Sequence, residues 1–271
     1  MKSIRFIAVN FNNSHYSAKF LESLRLQTGI GGDFAVDSVI VDNSTKPEEA
    51  TKCRELCEKI PRVSYVQSNK NLGYFGGLNR GLASDRLSSI DFIVIGNNDL
   101  EFEPDFCQRL ITLTPDPSVF ALCPDEITAD GVHKNPHVRY RISSFRKFQM
   151  DLYFYHYYVA RILHFILSIA RPHKKSQPQP GGGGCELHMG HGACFVLTPE
   201  FLKRFDSLHY PHFLQGEEAY IAHQIHSAGG RLWYEPALRV HHAEKGAVSM
   251  IPKRVNYEYA RSGYPDYRRL L

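Results

Sequence analysis

The chain predicts an α/β fold in which a mostly parallel central sheet is flanked by helices. Short β-branched apolar runs at residues 4–10, 36–41, 63–67 and 92–96 alternate with segments of helical spacing, the pattern of repeated βαβ units. Three of those runs end in Asn, Asp or Ser, so their polar ends gather along one edge, where open α/β sheets bind ligands. The run Phe92-Ile93-Val94-Ile95-Gly96 opens into Asn97-Asn98-Asp99-Leu100-Glu101, as a buried strand does when it delivers polar groups to a crevice.

A length of 271 residues allows one large domain, or one and a half, with a full core. The 43% hydrophobic and 22% charged content is ordinary for a soluble globular chain, and a net charge of +4 does not by itself indicate a nucleic-acid partner. Six Cys are scattered with no CxxC pair, which excludes zinc-site spacing and favours reduced thiols in a cytoplasmic setting. Met1-Lys2-Ser3 runs straight into a strand, so no signal peptide is expected, and no apolar stretch is long enough to span a bilayer.

Taken in order, the first strand closes on the polar cluster Asn10 to Ser14, and Phe20, Leu21 and Leu24 mark a helix over 16–27. The second strand stops at Asp42-Asn43-Ser44, and Pro47 with Glu48 and Glu49 starts a helix running to about residue 59. After the third strand, the Gly-rich turn from Asn71 to Gly81 opens a helix. Its backbone N–H groups suit a phosphate, although a tight connection explains the glycines equally well and neither the dinucleotide fingerprint nor the P-loop is matched. Asp99 and Glu101 alternate, so on an extended chain both carboxylates point the same way. Such a pair suits Mg²⁺ or Mn²⁺ completed by substrate phosphates, with a polar turn as the alternative.

From residue 139 the character changes. Arg139, Arg141, Arg146 and Lys147 precede an aromatic-rich stretch, residues 148–169, that reads as one or two amphipathic helices. It suits peripheral contact with an anionic membrane on the inner face, or equally an ordinary packing or oligomer contact. Residues 176–184 read as a linker or lid. A strand is expected at 193–197, a short helix from Thr198-Pro199-Glu200, a helix over 219–227 ended by Gly229-Gly230, a strand at 232–234, and an outer tail over the last twenty residues. The resulting division is 1–138, a basic and aromatic insertion with linker at 139–184, 185–250, and a tail at 251–271.

Four signatures then coincide in order: the first strand ending near Asn10, Val39-Ile40-Val41-Asp42-Asn43-Ser44, Asn71-Leu72-Gly73-Tyr74-Phe75-Gly76-Gly77-Leu78-Asn79, and Asn97-Asn98-Asp99. Gly190-His191-Gly192-Ala193, Gly216-Glu217-Glu218 and His241-His242 follow. The ordered set resembles the inverting glycosyltransferases of family 2, of GT-A fold, and especially bacterial rhamnosyltransferase-like members. The resemblance covers roughly residues 3–125 and 187–249 and leaves 139–184 outside.

The resemblance implies a Rossmann-like half that binds a nucleoside-diphosphate sugar, UDP- or dTDP-linked, and a second half that binds the acceptor. Asp42, with Asn43 and Asn10, would hold the base or ribose, and Asn71, Gly73, Gly76, Gly77 and Asn79 would shape the turn against the nucleotide. Asp99 matches the last acid of the family's metal motif and Glu101 a second ligand, while Asn97 and Asn98 stand where relatives carry acids. Mg²⁺ or Mn²⁺ would also take His242, or His241 as second choice, and His191 with Gly192 would touch the acceptor or the donor. Glu217-Glu218 matches the family's Glu-Asp pair, which makes Glu218 the base, with Glu217 orienting the acceptor. The activity implied is transfer of a sugar, with inversion, to a hydroxyl of a glycan or lipid-linked glycan in O-antigen or capsule assembly. The rival reading is a non-catalytic sugar-nucleotide or glycan-binding module on the same fold.

Overall fold

The computed structural model describes residues 1–84, 90–170, 183–244 and 252–271, with the backbone alone for 167–170. Most of the expected linker lies outside the described residues. In chain order the elements are β1 (Lys2–Asn10), α1 (Ser14–Arg25), β2 (Phe34–Asp42), α2 (Pro47–Glu58), β3 (Val63–Gln67), α3 (Tyr74–Leu82), β4 (Phe92–Asn97), β5 (Leu100–Phe102) and α4 (Phe106–Thr112). They continue with β6 (Val119–Thr128), α5 (Ser144–Tyr155), α6 (Tyr157–Ala170), β7 (Cys185–Leu187), β8 (Cys194–Leu197), α7 (Pro199–Leu202), α8 (Glu217–Ser227), β9 (Arg231–His242) and α9 (Lys253–Tyr267).

One sheet runs β3-β2-β1-β4-β8-β6-β9-β5, with β7 on β9. It is parallel through β3-β2-β1-β4, as the alternating pattern predicts, and mixed beyond. There β8 lies antiparallel between β4 and β6, β6 pairs parallel with β9, and β5 and β7 pair antiparallel with β9. The expectation of a mostly parallel sheet therefore holds for the first half, where helices carry the chain back over the sheet.

Alternation along β1 divides the core into two layers. Phe6 and Ala8 face α1, α2 and α4 through Phe20, Leu24, Cys53, Phe106 and Leu110. Ile7 and Val9 face α3, α8 and α9 through Phe75, Leu78, Ile221, Tyr264 and Tyr267. A central strand buried on both faces needs an apolar run, which β1 supplies from Phe6 to Val9. Helix α3 lies so close to the sheet that a Cβ on Gly81 would come within 2.4 Å of Ile7 Cγ2. All six Cys are free.

The last twenty residues, expected as an outer tail, include helix α9, whose Tyr257, Tyr264 and Tyr267 are buried. Phe154 of α5 stacks on Tyr264 with ring centroids 4.4 Å apart. The stretch from 144 to 170 forms two helices, α5 and α6, joined at His156.

Candidate functional site

The C-terminal ends of β1, β2 and β4 and the first turn of α8 border a cavity of about 400 Å³. Of the residues singled out in the sequence, Asn43, Asn71, Gly73, Asn97, Asn98, His191, Gly192, Glu217, Glu218 and His242 line it.

The Asp42-Asn43 pair divides its labour. Asp42 is buried. Its Oδ1 accepts from Asn10 Nδ2 at 2.8 Å and from the Ser44 backbone N–H at 3.0 Å, and its Oδ2 accepts from the Tyr65 hydroxyl at 2.8 Å. Asn10 is equally committed, its Oδ1 accepting from Ser17 Oγ at 3.0 Å and Asn98 Nδ2 at 3.1 Å. The structure thus turns Asp42 and Asn10 inward as a knot between strand ends, away from the cavity the sequence assigns them. Asn43 faces the cavity instead. Its Nδ2 donates to the Gly73 carbonyl at 2.9 Å, while its buried Oδ1 has no hydrogen-bond partner. Asn43 thus brings to the cavity wall an unsatisfied acceptor, itself covered in this structure, that a ligand N–H would satisfy on reaching it.

Gly73 closes the same wall. Asn71 Oδ1 accepts from its N–H at 3.0 Å, its φ is +75°, and a Cβ there would sit 2.0 Å from the Phe213 carbonyl oxygen. Only glycine fits. Gly77 backs Asn43, with a Cβ at 3.1 Å from Asn43 Nδ2. Gly76 meets only Leu72 at 3.0 Å, and Asn79 clamps the backbone of Leu208 with both amide atoms, at 2.7 and 2.9 Å. Those two shape the turn and its seat on the loop around residue 208 without reaching the cavity.

A charged cluster stands opposite. His242 Nε2 lies 3.3 Å from Asp99 Oδ1, and His242 Nδ1 lies 2.6 Å from Glu126 Oε1. The other Glu126 oxygen is 2.9 Å from His191 Nδ1. A carboxylate only accepts, so both imidazoles donate to it through Nδ1–H. Burial pushes the Glu126 carboxyl upward, but its hydrogen bonds to His191 and His242 outweigh that and hold it at about 2. Burial pushes His242 downward, and the bonds to Asp99 and Glu126 overcome that and raise it to about 10. His191 is likewise raised against its burial by Glu126.

Among the described residues, no group of three His, Cys, Asp or Glu is arranged to hold a metal ion. Asp99 with His242 is a two-ligand set once a metal displaces the proton from His242 Nε2, and Glu126 behind the imidazole is the carboxylate–histidine support that metal-bound histidines use. Two protein ligands fit Mg²⁺ or Mn²⁺, which keep waters and accept phosphate oxygens in place of a full protein cage. Glu101 and His241 do not join them. The chain turns at Asn98-Asp99 before β5 begins, so Glu101 falls out of alternation with Asp99. It pairs across to His241 on β9, and both border a separate hollow beside α1.

At the other side, Gln215 and Gly216 have φ of 76° and 93°, a left-handed turn that starts α8 at Glu217. Glu217 is buried, and burial followed by the Glu218 charge pushes its carboxyl up to about 8. Glu218 is half-buried and lies over Gly192, where a Cβ would come 2.6 Å from its Oε1. Both acids line the cavity, but they differ in setting: Glu217 is buried with its carboxyl pushed upward, and Glu218 is half-buried.

Glu126 is the functional residue the sequence reading missed. The signal was present: Val119-Phe120-Ala121-Leu122-Cys123 followed by Pro124-Asp125-Glu126 is another apolar run closing on acids, as at Asp99. Tyr74, inside the glycine-rich turn, also lines the cavity, and its hydroxyl donates to the Gly192 carbonyl at 3.1 Å, joining that turn to the strip beneath Glu218.

A mannosyltransferase, PcManGT, from Pyrobaculum calidifontis, solved with GDP-Man and Mn²⁺, is similar in fold, with a TM-score of 0.54 at 17% identity over 93% of this chain and 57% of that one. GalNAc-T7, solved with UDP, GalNAc and Mn²⁺, gives 0.57 at 14% identity over 89% of this chain and 43% of that one. TarS residues 1–349 from S. aureus, solved with UDP-GlcNAc, gives 0.59 at 13% identity over 96% and 64%. The chain thus spans between 43% and 64% of the length of these structures. At such identities the likeness shows the fold, which is GT-A. No curated protein sequence matches the chain. A family model described as glycosyl transferase family 2 matches residues 6–173. That match runs through the region from 139 onward that the resemblance seen in the sequence left outside. The chain belongs to glycosyl transferase family 2.

Proposed function

We propose that this chain is an inverting glycosyltransferase that moves a sugar from a nucleoside-diphosphate sugar to a hydroxyl of a glycan or lipid-linked glycan acceptor. One observation carries the reading: His242, with Asp99 3.3 Å from its Nε2, and the acidic pair at the start of α8 border one cavity that Asn43 also lines. Asn43 Oδ1 would accept the imide N–H of uracil or thymine, in line with a UDP- or dTDP-linked donor. The Asn71–Gly73 turn would lie along the nucleotide.

Attack by a sugar hydroxyl needs a base to take its proton in the transition state. Burial and the neighbouring Glu218 charge raise the Glu217 carboxyl, which disfavours its ionised, proton-accepting form. Glu218, which reaches the cavity over Gly192, is left for the role. Glu217 would hold the acceptor by donating its carboxyl O–H. Asp99 and His242 are the residues that would hold Mg²⁺ or Mn²⁺, whose charge there offsets that of a departing diphosphate. Glu126 keeps His242 oriented with Nε2 toward Asp99. His191, on the second oxygen of Glu126, stands beside Gly192 at the acceptor end.

Titration calorimetry with UDP and dTDP, with and without Mn²⁺, tests the donor site, and release of nucleoside diphosphate from a panel including dTDP-rhamnose tests turnover. Metal-assisted nucleotide binding that weakens at least about tenfold in Asp99→Ala supports the reading. Absence of nucleotide binding under all conditions overturns it. Tight binding without release across the panel moves weight to the binding module. Synthesis of a surface polysaccharide such as O-antigen or capsule is the setting this reading favours.

A further inference from the structure

Ten of the fourteen exposed large apolar side chains described in the structure lie between Tyr140 and Ile166. That concentration marks one surface rather than scattered exposure. Helix α5 has two apolar faces. Its inner face, with Met150 and Phe154, packs on the core. Its outer face carries Phe145, Phe148, Leu152 and Tyr155 at i, i+3, i+7 and i+10, with exposures of 71%, 62%, 42% and 74%. A residue repeat of this kind makes one stripe along a helix. Helix α6 adds Tyr158, Ile162 and Ile166 at i, i+4 and i+8, with 58%, 59% and 54% exposed, while Ala160 is buried beneath.

Charge decides what such a surface fits. Over the described residues 139–170 the chain holds five Lys and Arg, at 139, 141, 146, 147 and 161, and a single acid, Asp151. That acid is already taken, with Arg268 Nη2 at 2.7 Å and the Tyr264 hydroxyl at 2.6 Å. Two copies meeting through this face would set basic flank against basic flank. An anionic lipid surface satisfies both features, since the apolar stripe enters the headgroup boundary and the basic flanks meet lipid phosphates. Among the described residues no helix is long and apolar enough to cross a membrane, so the helices would lie on it.

We propose that the outward faces of α5 and α6 dock this protein on an anionic bilayer surface. The dock is joined mechanically to the acidic pair. Tyr257 of α9 packs on Tyr153 and Tyr157, and Tyr267 of α9 lies so close to Gly216 that a Cβ there would be 2.6 Å from its ring. Gln215 Nε2 donates to Asn256 Oδ1 of α9 at 2.8 Å. Docking therefore bears on the two residues that immediately precede Glu217.

Vesicle flotation tests this with phosphatidylcholine alone and with phosphatidylcholine mixed with phosphatidylglycerol, at low and high salt. The full chain is expected to float with the anionic vesicles only, and less at high salt. The triple variant Phe148→Ser, Leu152→Ser, Tyr155→Ser should lower the partition by about tenfold or more with its melting transition retained. Should that variant lose its transition, Ile162→Ser alone should still lower partition by about threefold. No flotation of the wild type at low salt, or equal flotation of the folded variants, overturns the proposal. A dimer in light scattering that the substitutions dissolve, without flotation, overturns it in favour of a second copy.

Discussion

Two sets of strand ends in this sheet use the same residue types to opposite purpose. At β1 and β2, Asn10 and Asp42 spend their hydrogen-bonding capacity on each other, on Ser17 and Ser44, and on Tyr65 and Asn98. Beside β4, β6 and β9, Asp99, Glu126 and His242 are just as buried, yet they pair with one another, and His242 carries the pairing to the cavity wall. The first set ties the strands together. The second holds a concentrated, unequal charge where a ligand arrives. A polar residue at a strand end is thus no evidence of a site until its partners are counted.

The comparison breaks most visibly at Glu218. Glu218→Gln should lower the transfer rate by about 10² to 10⁴ while nucleotide affinity stays within about threefold, read by steady-state kinetics beside calorimetry. Equal loss of both would put Glu218 in donor binding.

The next effect separates the two sets directly. Glu126→Gln replaces the acceptor of two imidazole N–H groups with an amide that can satisfy only one, so metal-assisted nucleotide affinity should fall about 10- to 100-fold. Asp42→Asn aims an amide N–H₂ into a group of donors and should cost about 1–3 kcal/mol of stability with nucleotide affinity within about threefold. Denaturant melts and calorimetry on both variants decide it. If Asp42→Asn costs as much affinity as Glu126→Gln, the distinction fails.

The last effect is a slope of stability against pH. Between its ordinary 4.5 and about 8, Glu217 stays protonated in the folded chain but is ionised in the unfolded one. Stability contributed by that group therefore declines as pH rises through the window and levels off above it. Glu217→Gln should remove that share of the decline, visible as a smaller fall in melting temperature from about pH 5 to pH 8 than in the wild type.

The parallel half of the fold was legible because each element declares itself locally. Strand β1 carries an apolar run from Phe6 to Val9, Pro47 opens α2 with Glu48 and Glu49 in its first turn, and Gly229-Gly230 follow α8. Strand β6 was not. Pro124 interrupts it, and the β6–β9 register shifts between Pro124 and Asp125. A proline within a strand argues against a strand in sequence and is tolerated at an irregularity of this kind. With β6 unread, Glu126 stayed invisible. At the site, Asp42 and Asn43 are adjacent and chemically alike, and only the Tyr65 hydroxyl and the Gly73 carbonyl, brought from other strands and turns, decide which of them faces outward. Glu101 went astray for a local reason, since alternation with Asp99 presumes an extended chain and the chain turns there.

One carboxylate holding two imidazoles has a consequence for inheritance. His191 and His242 touch the same Glu126 through different oxygens, so a change at either alters the charge felt by the other. Their substitutions are not independent events. A lineage that loses one histidine changes the selective worth of its partner, and the three positions would drift or persist together.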